Sequence, residues 1–313
     1  MQVAIVGLTT LETPSIVMPA STEGLAFGDY ADTLRRTVPQ ARAEGAELVV
    51  VIAHVCPGEL HALAPVAAEL SIPLLAGGHC HTSENTERDG VRIIGSGAHW
   101  QTFAQVDIAF DTATGQVVST EAKLVPVEYA TADGNPVMPD AEVEAIVGGW
   151  QAQIDEALGE VIGYTETGVE IGWPMVNLLV DAWLWYYPEA DVAISNFGGY
   201  REAIPPGEIT RADIVATWPF ENVLVDVELT GKQVAGLTYQ QAGARITAEL
   251  DDGRPLDPEA TYHVLVNNFI YAGGDDTGIQ WREPVIEWII AQETSPERPL
   301  ETLLDDTEQG PGR

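Results

Sequence analysis

Two histidines stand one residue apart behind a pair of glycines in the segment LAGGHCHT, residues 75–82. A third, His54, directly follows the apolar run LVVVIA. Imidazole is a common ligand of transition metals, and α/β proteins place ligand-binding groups at the carboxyl ends of their strands. The pattern predicts a metal site built from His54, His79 and His81, although a single histidine in such a position is usually just a satisfied polar residue. We interpret His61 and His99 as surface residues and His263 as structural.

The two cysteines, Cys56 and Cys80, both lie beside these histidines, which predicts that they are near each other. Two cysteines do not make a disulfide framework. Small buried thiols are the interpretation we favour, with a disulfide or a metal-ligand role as the alternatives.

The histidines need strands to carry them, and the first 130 residues supply these. Continuous apolar runs at 3–8 and 48–53 are typical of strands covered on both faces. Alternation with helical segments predicts an α/β arrangement that ends in strands. Helices are predicted at 30–44 and 60–70, and further strands at 72–76, 91–95, 104–110 and 116–126.

Residues 131–139 carry glycine, two prolines and little apolar content, which indicates a linker. Asp140 then caps a predicted helix, 141–158, between two domains. The sequence therefore predicts three parts: residues 1–130, a linker and hinge helix at 131–160, and a second domain at 161–313. In that domain we predict helices at 174–187 and 284–292, strands at 192–195, 223–230 and 262–267, a turn at 272–278 and a frayed tail at 301–313.

Charge excludes some classes of partner. The chain has 48 acidic and 14 basic residues, a formal net charge of −34. Such a surface repels nucleic acid and anionic membranes. It suits a high-salt or extracellular setting, and it is equally compatible with an ordinary soluble acidic protein. No stretch reaches the roughly 18 apolar residues of a membrane span, and the first residues lack the features of a signal peptide.

The first domain resembles a known family in four segments: VAIVGLTTLETP, VVVIAHVCPGEL, PLLAGGHCHT and GVRIIGSGAHWQTFAQVDI. They are similar to the second half of the calcineurin-like metallophosphoesterase domain of 5′-nucleotidases, a family that includes UDP-sugar hydrolases. This resemblance implies a sandwich fold and two divalent ions, Zn, Mn or similar. By the match, His54 and His79 would bind one ion and His81 the other.

Other metal motifs of that family do not occur in this chain. No histidine is preceded by asparagine, and none has aspartate two residues before it. We therefore expect an incomplete metal site in a truncated or split form, which a second chain would complete, and we assign no catalytic residue.

The second domain resembles the 5′-nucleotidase C-terminal α/β domain in AISNFGGYREAIPPGEIT, WPFENVLVDVELTGKQ and VNNFIYAGGDDTG. The resemblance implies phosphate binding by Arg201, base stacking by Phe220 and Phe269, a base-edge contact by Asn222 and ribose binding by Asp275. A guanidinium matches phosphate oxygens, and aromatic rings stack on bases. The loop glycines and asparagine complete the predicted substrate site: Asn196, Gly198 and Gly199.

The resemblance as a whole predicts a phosphoric-ester hydrolase of 5′-nucleotidase type, acting in nucleotide catabolism outside the cell or in the cell envelope. The alternative is a non-catalytic protein that binds a nucleoside or nucleotide. Hydrolysis that depends on added metal favours the first, and binding that survives metal removal favours the second.

Overall fold

The apolar runs that precede the histidines lie side by side in one sheet. A computed structural model describes residues 1–130, 133–240, 244–246, 255–271 and 273–305. These divide into unit 1, Met1–Met138, and unit 2, Pro139–Arg313.

Unit 1 begins with a five-stranded sheet whose order is β1-β2-β3-β5-β4. β1, β2, β3 and β5 pair in parallel, and β4 pairs antiparallel with β5. Its strands are β1 (Val3–Thr9), β2 (Leu48–His54), β3 (Leu74–Gly77), β4 (Ser83–Arg88) and β5 (Val91–Ser96). Its helices are α1 (Thr13–Ile16), α2 (Tyr30–Ala43) and α3 (Pro57–Glu69), with a 3₁₀ turn at Pro19–Thr22.

Both faces of this sheet are covered, which explains the uninterrupted apolar runs. On one face α2 and α3 bury Leu34, Val38 and Leu60. On the other, an antiparallel hairpin of β6 (Thr102–Asp111) and β7 (Gln116–Pro126) packs against side chains that alternate with the first set. These are Leu48, Val50, Leu74 and Ile94.

Unit 2 opens with α4 (Ala141–Leu158), whose first turn is capped by the Asp140 carboxylate. None of its residues is buried. Four apolar side chains at helical spacing are 57–65 % exposed: Val143, Ile146, Val147 and Trp150. We call these four side chains the α4 stripe.

The main sheet of unit 2 has the order β12-β9-β13-β11-β14. Among its described strands, β9 and β13 pair in parallel and the other neighbours are antiparallel. A smaller antiparallel pair joins β8 and β10. The strands are β8 (Val161–Thr165), β9 (Val192–Ile194), β10 (Gly207–Thr210), β11 (Val223–Thr230), β12 (Ala244–Ile246), β13 (Thr261–Asn267) and β14 (Asp275–Gln280). The helices are α5 (Trp173–Tyr186), α6 (Arg211–Thr217), α7 (Gly231–Gln240) and α8 (Glu283–Gln292), with 3₁₀ turns at Phe197–Gly199 and Leu300–Leu303.

The larger core of unit 2 is built around buried tryptophans. Trp183, Trp218 and Trp281 are at most 1 % exposed and belong to one cluster with α5 and α8. The Trp183 indole N–H donates to the Trp281 carbonyl at 2.7 Å, which satisfies a buried polar group. A second, smaller cluster includes Val234 of α7.

Some predicted elements were wrong or missed. The turn predicted at 272–278 gives way to strand from Asp275 onward, where β14 pairs with β11; Ala272 lies outside the described residues. β4, β8, β10 and α6 were missed. β4 has the polar sequence SENTER and mostly exposed side chains, so it lacks the apolar alternation that marks a strand. Of the predicted frayed tail, Glu301–Leu303 belong to a 3₁₀ turn, and residues 306–313 lie outside the description.

Among the described residues, no helix combines the length and apolarity needed to cross a bilayer.

Candidate functional site

Two of the three predicted histidine ligands meet at the carboxyl edge of the unit 1 sheet. His54 ends β2, and His79 lies in the turn after β3, the parallel neighbour of β2. The His54 Nε2 and His79 Nδ1 atoms are 3.1 Å apart. Two ligands at about 2.0–2.1 Å from one metal and roughly 90–110° apart would be separated by about 2.9–3.4 Å. The two nitrogens therefore fit the coordination sphere of one divalent ion.

Glu12 is a part of this edge that sequence reasoning missed. Its Oε2 lies 3.7 Å from His79 Nε2, the ring nitrogen that does not face His54. This distance is too long for a hydrogen bond, so the carboxylate lies near the outer nitrogen while Nδ1 faces His54. The available signal was position: Glu12 follows the carboxyl end of β1, where Thr9 pairs with His54.

Tyr30 fixes the segment that carries Glu12. Its hydroxyl accepts from the Leu11 N–H at 2.9 Å and donates to Glu59 at 3.1 Å. Burial, the largest effect, raises the pKa of Tyr30, so the phenol keeps its donor proton.

The third predicted ligand, His81, lies against another histidine. Its ring centroid is 5.9 Å from that of His99. In the described part of the chain, no three histidine, cysteine, aspartate or glutamate side chains form a metal-binding group. His61, predicted at the surface, lies on α3, is partly buried and pairs with Glu84. The exposed His263 pairs with Asp226 at 3.3 Å.

The backbone of the histidine turn is strained. His79 and His81 have φ of +67° and +55°, the left-handed region that residues with a Cβ rarely adopt. His99 and Trp100 share this conformation. Strain of this kind persists only where surrounding contacts fix it, and it concentrates at functional sites.

The cysteines form a disulfide, so the small buried thiols favoured from the sequence were the wrong interpretation. The Cys56 and Cys80 Cα atoms are 5.2 Å apart, and the bond spans 24 residues. The physical reason lies in the sheet. Cys56 follows the carboxyl end of β2 and Cys80 that of β3, and these parallel strands are neighbours.

A cavity of about 470 Å³ lies at the opposite edge of the unit 1 sheet, where β2 and β5 begin at Leu48 and Val91. Arg42 and Arg92 line it with three carboxylates, those of Glu47, Glu87 and Asp89. It is separate from the histidine pair, because His54 ends the strand that Leu48 begins.

In unit 2 the sheet brings three predicted substrate loops to one edge. β9 and β13 are parallel and end at Ile194 and Asn267, while the antiparallel β11 begins at Val223 on the same edge. The loops that follow or precede these ends carry Arg201, Phe220 and Phe269.

Asparagine side chains tie the three loops together. Asn267 Nδ2 donates to Asn196 Oδ1 at 3.0 Å, a buried contact between the ends of β13 and β9. Asn222 Nδ2 donates to Asn268 Oδ1 at 2.8 Å, which joins the Phe220 loop to the Phe269 loop. Asn267 Oδ1 also accepts from the Phe269 N–H at 3.1 Å. Asn222, predicted to read a base edge, thus has its amide N–H engaged within the protein.

Arg201 and Phe220 are in direct contact. The Arg201 guanidinium carbon lies 5.0 Å from the centroid of the Phe220 ring, a cation–π distance. Phe220 is 39 % exposed and Phe269 41 %. Sequence reasoning missed Phe197, which is 43 % exposed and packs edge-on against Trp173 at 5.7 Å.

The two loop glycines differ in what surrounds them. A Cβ on Gly199 would come within 2.3 Å of the buried Trp281 ring, so this position requires glycine. A Cβ on Gly198 would meet only the Asn196 side chain, at 3.5 Å. The remaining predicted residue, Asp275, begins β14 opposite Asp226 and is exposed.

With this geometry established, known proteins give a context for both units. Residues 161–281 match the family described as 5′-nucleotidase, C-terminal domain. The endonuclease YhcR of Bacillus subtilis is 26 % identical over 302 residues, covering 86 % of this chain and 24 % of YhcR. The cell wall protein Lmo0130 of Listeria monocytogenes is 26 % identical over 346 residues, covering 88 % of this chain and 43 % of that protein.

The solved structure of a 5′-nucleotidase precursor from Thermus thermophilus has the same fold. It superimposes with a TM-score of 0.76 at 24 % identity, covering 94 % of this chain and 70 % of that one. The predicted fold class, a metallophosphoesterase part followed by a C-terminal α/β domain, is therefore confirmed. The chain spans less than half the length of YhcR and Lmo0130.

Proposed function

We propose that the protein hydrolyses nucleotide phosphoesters, with unit 2 binding the nucleotide and unit 1 a divalent metal ion, because residues 161–281 match the family described as 5′-nucleotidase, C-terminal domain. The observation that carries the proposal is that three loops with side chains suited to nucleotide binding lie at the same edge of the unit 2 sheet. There, asparagine hydrogen bonds hold together the loops that bear Arg201, Phe220 and Phe269.

Each of these side chains has a role that its chemistry supports. The Arg201 guanidinium binds the phosphate through charge-assisted hydrogen bonds. The exposed rings of Phe220 and Phe269 stack on the base. Arg201 covers one face of the Phe220 ring, so a base stacks on the other face. In a chain of net charge −34, an anionic substrate depends on such a local cation.

The carboxylate of Asp275 is assigned to the ribose hydroxyls, because an exposed carboxylate accepts hydrogen bonds from paired hydroxyls. Asn222 offers its Oδ1 to the base, since its Nδ2 is already donated to Asn268.

In unit 1 the imidazoles of His54 and His79 would hold the metal ion, and the Glu12 carboxylate lies near the outer nitrogen of His79. A divalent ion in such a site lowers the pKa of bound water and offsets negative charge on phosphoryl oxygens. Zinc suits imidazole ligands, and manganese suits oxygen ligands such as water or carboxylate. The role of His81 as a ligand of a second ion stays a prediction.

The test is phosphate release from adenosine 5′-monophosphate by the purified chain with Mn²⁺. We expect His54→Ala and His79→Ala each to lower the rate at least about 100-fold, as loss of a ligand costs more than loss of its supporting partner. His263→Ala is the matched control, an exposed histidine of unit 2 paired with Asp226. Release that persists in excess EDTA, or that both variants retain, contradicts the proposal.

A second function, nucleotide binding without hydrolysis, is favoured by one observation. The asparagine contacts that join the unit 2 loops involve no residue of unit 1. Calorimetry with adenosine 5′-monophosphate in EDTA tests it. This function is supported if the chain binds the nucleotide in EDTA, if Phe269→Ala abolishes that binding, and if the chain releases no phosphate when metal is added.

We also propose that the protein works outside the cytoplasm. A disulfide persists in oxidising compartments, and the relative Lmo0130 is a cell wall protein. Alkylation of intact cells before lysis tests this: Cys56 and Cys80 should resist the reagent until a reductant is added. Free thiols in untreated cells would contradict the assignment.

A further inference from the structure

The Cys56–Cys80 disulfide lies directly beside both members of the histidine pair. Cys56 is two residues after His54, and Cys80 is the residue after His79. We propose that this bond is a positioning device: it holds the His54 and His79 imidazoles at the separation that one metal ion requires. This inference rests on the metal role proposed for unit 1 but not on hydrolysis.

The two histidines come from segments of unequal rigidity. His54 is the last residue of β2, a strand paired on both sides with β1 and β3. His79 is outside β3, which ends at Gly77, in a turn whose first residue is Gly78. Glycine leaves a turn many accessible conformations. A constraint on His79 must therefore come from contacts beyond the strand.

The His79 backbone shows that such a constraint acts. His79 and His81, on either side of Cys80, both have left-handed φ values. An unconstrained L-residue leaves this region for the ordinary one. One local hydrogen bond, Cys80 N–H to Gly78 carbonyl at 2.8 Å, is present in the turn. The covalent link from Cys80 to Cys56 is the contact that attaches the centre of this turn to the end of β2.

The disulfide therefore connects the two imidazoles covalently through a short path, from His54 by way of Cys56 and Cys80 to His79. With the disulfide intact, the His54 Nε2 and His79 Nδ1 atoms stand 3.1 Å apart, and no long side chain must be reordered when a metal binds. Without it, the turn can relax and the pair must be assembled by the metal at an entropic cost. Preorganisation thus predicts a tighter metal site in the oxidised protein.

The alternative role for the cysteines is that, once reduced, they bind a metal ion themselves. Two free thiolates beside two imidazoles would offer zinc a Cys₂His₂ ligand set, so reduction would create a site rather than weaken one. The left-handed turn and the 3.1 Å nitrogen separation both exist with the sulfurs bonded to each other, which favours the positioning role.

Metal affinity, measured by calorimetry with Mn²⁺ and no nucleotide, tests the inference. Mn²⁺ binds thiolates weakly, so it reports on the imidazoles. The samples are the oxidised chain, the Cys56→Ser/Cys80→Ser variant and the chain reduced with a phosphine. The phosphine supplies two electrons and takes the oxygen of one water, whose two protons complete the two thiols.

We expect the Mn²⁺ dissociation constant to rise at least tenfold in the serine variant and in the reduced chain. The matched control is Leu34→Ala, which destabilises the same core without touching the disulfide. It should keep the dissociation constant within about twofold. Equal affinity in the oxidised chain and the serine variant would overturn the positioning role. Tighter Zn²⁺ binding by the reduced chain, absent from the serine variant, would replace it with a thiolate site.

Two arrangements keep the test decisive. If the serine variant does not fold, Cys56→Val/Cys80→Ala fills the same space with apolar groups. In addition, imidazole NMR signals of His54 and His79 should shift on reduction while those of His263 stay. An oxidised chain that binds Mn²⁺ no better than His54→Ala would remove the metal role itself. If Mn²⁺ binding depends on the disulfide but the chain releases no phosphate, this inference is supported and only the proposed hydrolysis is contradicted.

Discussion

At the scale of single residues, the phosphate contact proposed for Arg201 can be tested separately from base stacking. The guanidinium is exposed and lies on Phe220. We expect Arg201→Ala to weaken binding of adenosine 5′-monophosphate about 10- to 100-fold, since a hydrogen bond to a charged group contributes about 1.5–3 kcal/mol. Arg201→Lys should be intermediate, because it keeps the charge and loses the planar fork.

Calorimetry with two ligands checks the assignment. Adenosine lacks the phosphate, so its affinity should change little in Arg201→Ala. Phe269→Ala should weaken both ligands, by about 1–3 kcal/mol for one lost stack. Arg298→Ala, which removes a guanidinium bonded to Gln292, is the control. Equal losses for adenosine and its phosphate in Arg201→Ala would show that this side chain does not meet the phosphate.

How far the sequence predicts a residue's role depends on what brings the residue to the site. His54 and His79 were predictable as neighbours because each follows a buried strand, and parallel strands end at one edge. Glu12 was not, because no periodicity marks a residue three places beyond a strand. Its nearness to His79 follows from the register of β1 on β2, which the sequence does not state.

At the scale of elements, the Leu300–Leu303 turn is bound to the end of β8 by one carboxylate. Glu301 accepts from the Thr165 hydroxyl at 2.7 Å and from the Glu166 and Thr167 N–H groups at 2.9 and 2.8 Å. Partial burial raises the pKa of Glu301, but these hydrogen bonds outweigh it and hold the pKa below its usual value. A pKa that is lower in the folded state stabilises the fold above the unfolded-state pKa, roughly 4.3.

We therefore expect Glu301→Gln to lower the free energy of unfolding at pH 7 by about 1–3 kcal/mol. The difference from the unchanged protein should shrink as the pH falls below about 4, where the carboxylate becomes protonated. Urea unfolding followed by tryptophan fluorescence at both pH values measures this. Glu297→Gln, an exposed glutamate in the same region, serves as the control. A deficit that does not depend on pH would rule out the ionised carboxylate as the cause.

The disulfide should also stabilise unit 1 as a whole. A bond that closes a loop of about 25 residues contributes about 3.5 kcal/mol, chiefly by restricting the unfolded chain. We expect Cys56→Ala/Cys80→Ala to lower the free energy of unfolding by that amount, measured by urea titration. No change in the midpoint would mean that strain in the folded state cancels the gain.

Elements with strong patterns were predictable and polar ones were not. β1 and β2 were predictable from their apolar runs, and the start of α4 was predictable from its Asp140 cap. β4 has no apolar face, and β10 has four residues. Their existence depends on a partner strand elsewhere in the chain, so local sequence carries little signal for them.

At the scale of the whole molecule, the formal charge of −34 should make stability depend on the salt concentration. Repulsion among carboxylates opposes compactness, and salt screens it: the Debye length falls from about 10 Å at 0.1 M to about 3 Å at 1 M. We expect the melting temperature to rise by several degrees between 0.1 and 1 M KCl, measured by circular dichroism. Near pH 4, with many carboxylates protonated, the increase should be smaller. A melting temperature independent of KCl would show that the repulsion is offset within the fold.

The α4 stripe has a practical consequence for spectroscopy. Trp150 is 65 % exposed, whereas Trp183, Trp218 and Trp281 are enclosed in the unit 2 core. A neutral quencher such as acrylamide, which the acidic surface does not repel, should quench Trp150 well before the three buried indoles, together with Trp100 and Trp185, which are 71 % and 48 % exposed. Replacing Trp150 with phenylalanine would isolate its share of this emission, so that a blue shift or a loss of quenching seen only in the unchanged protein would report that the α4 stripe had become covered.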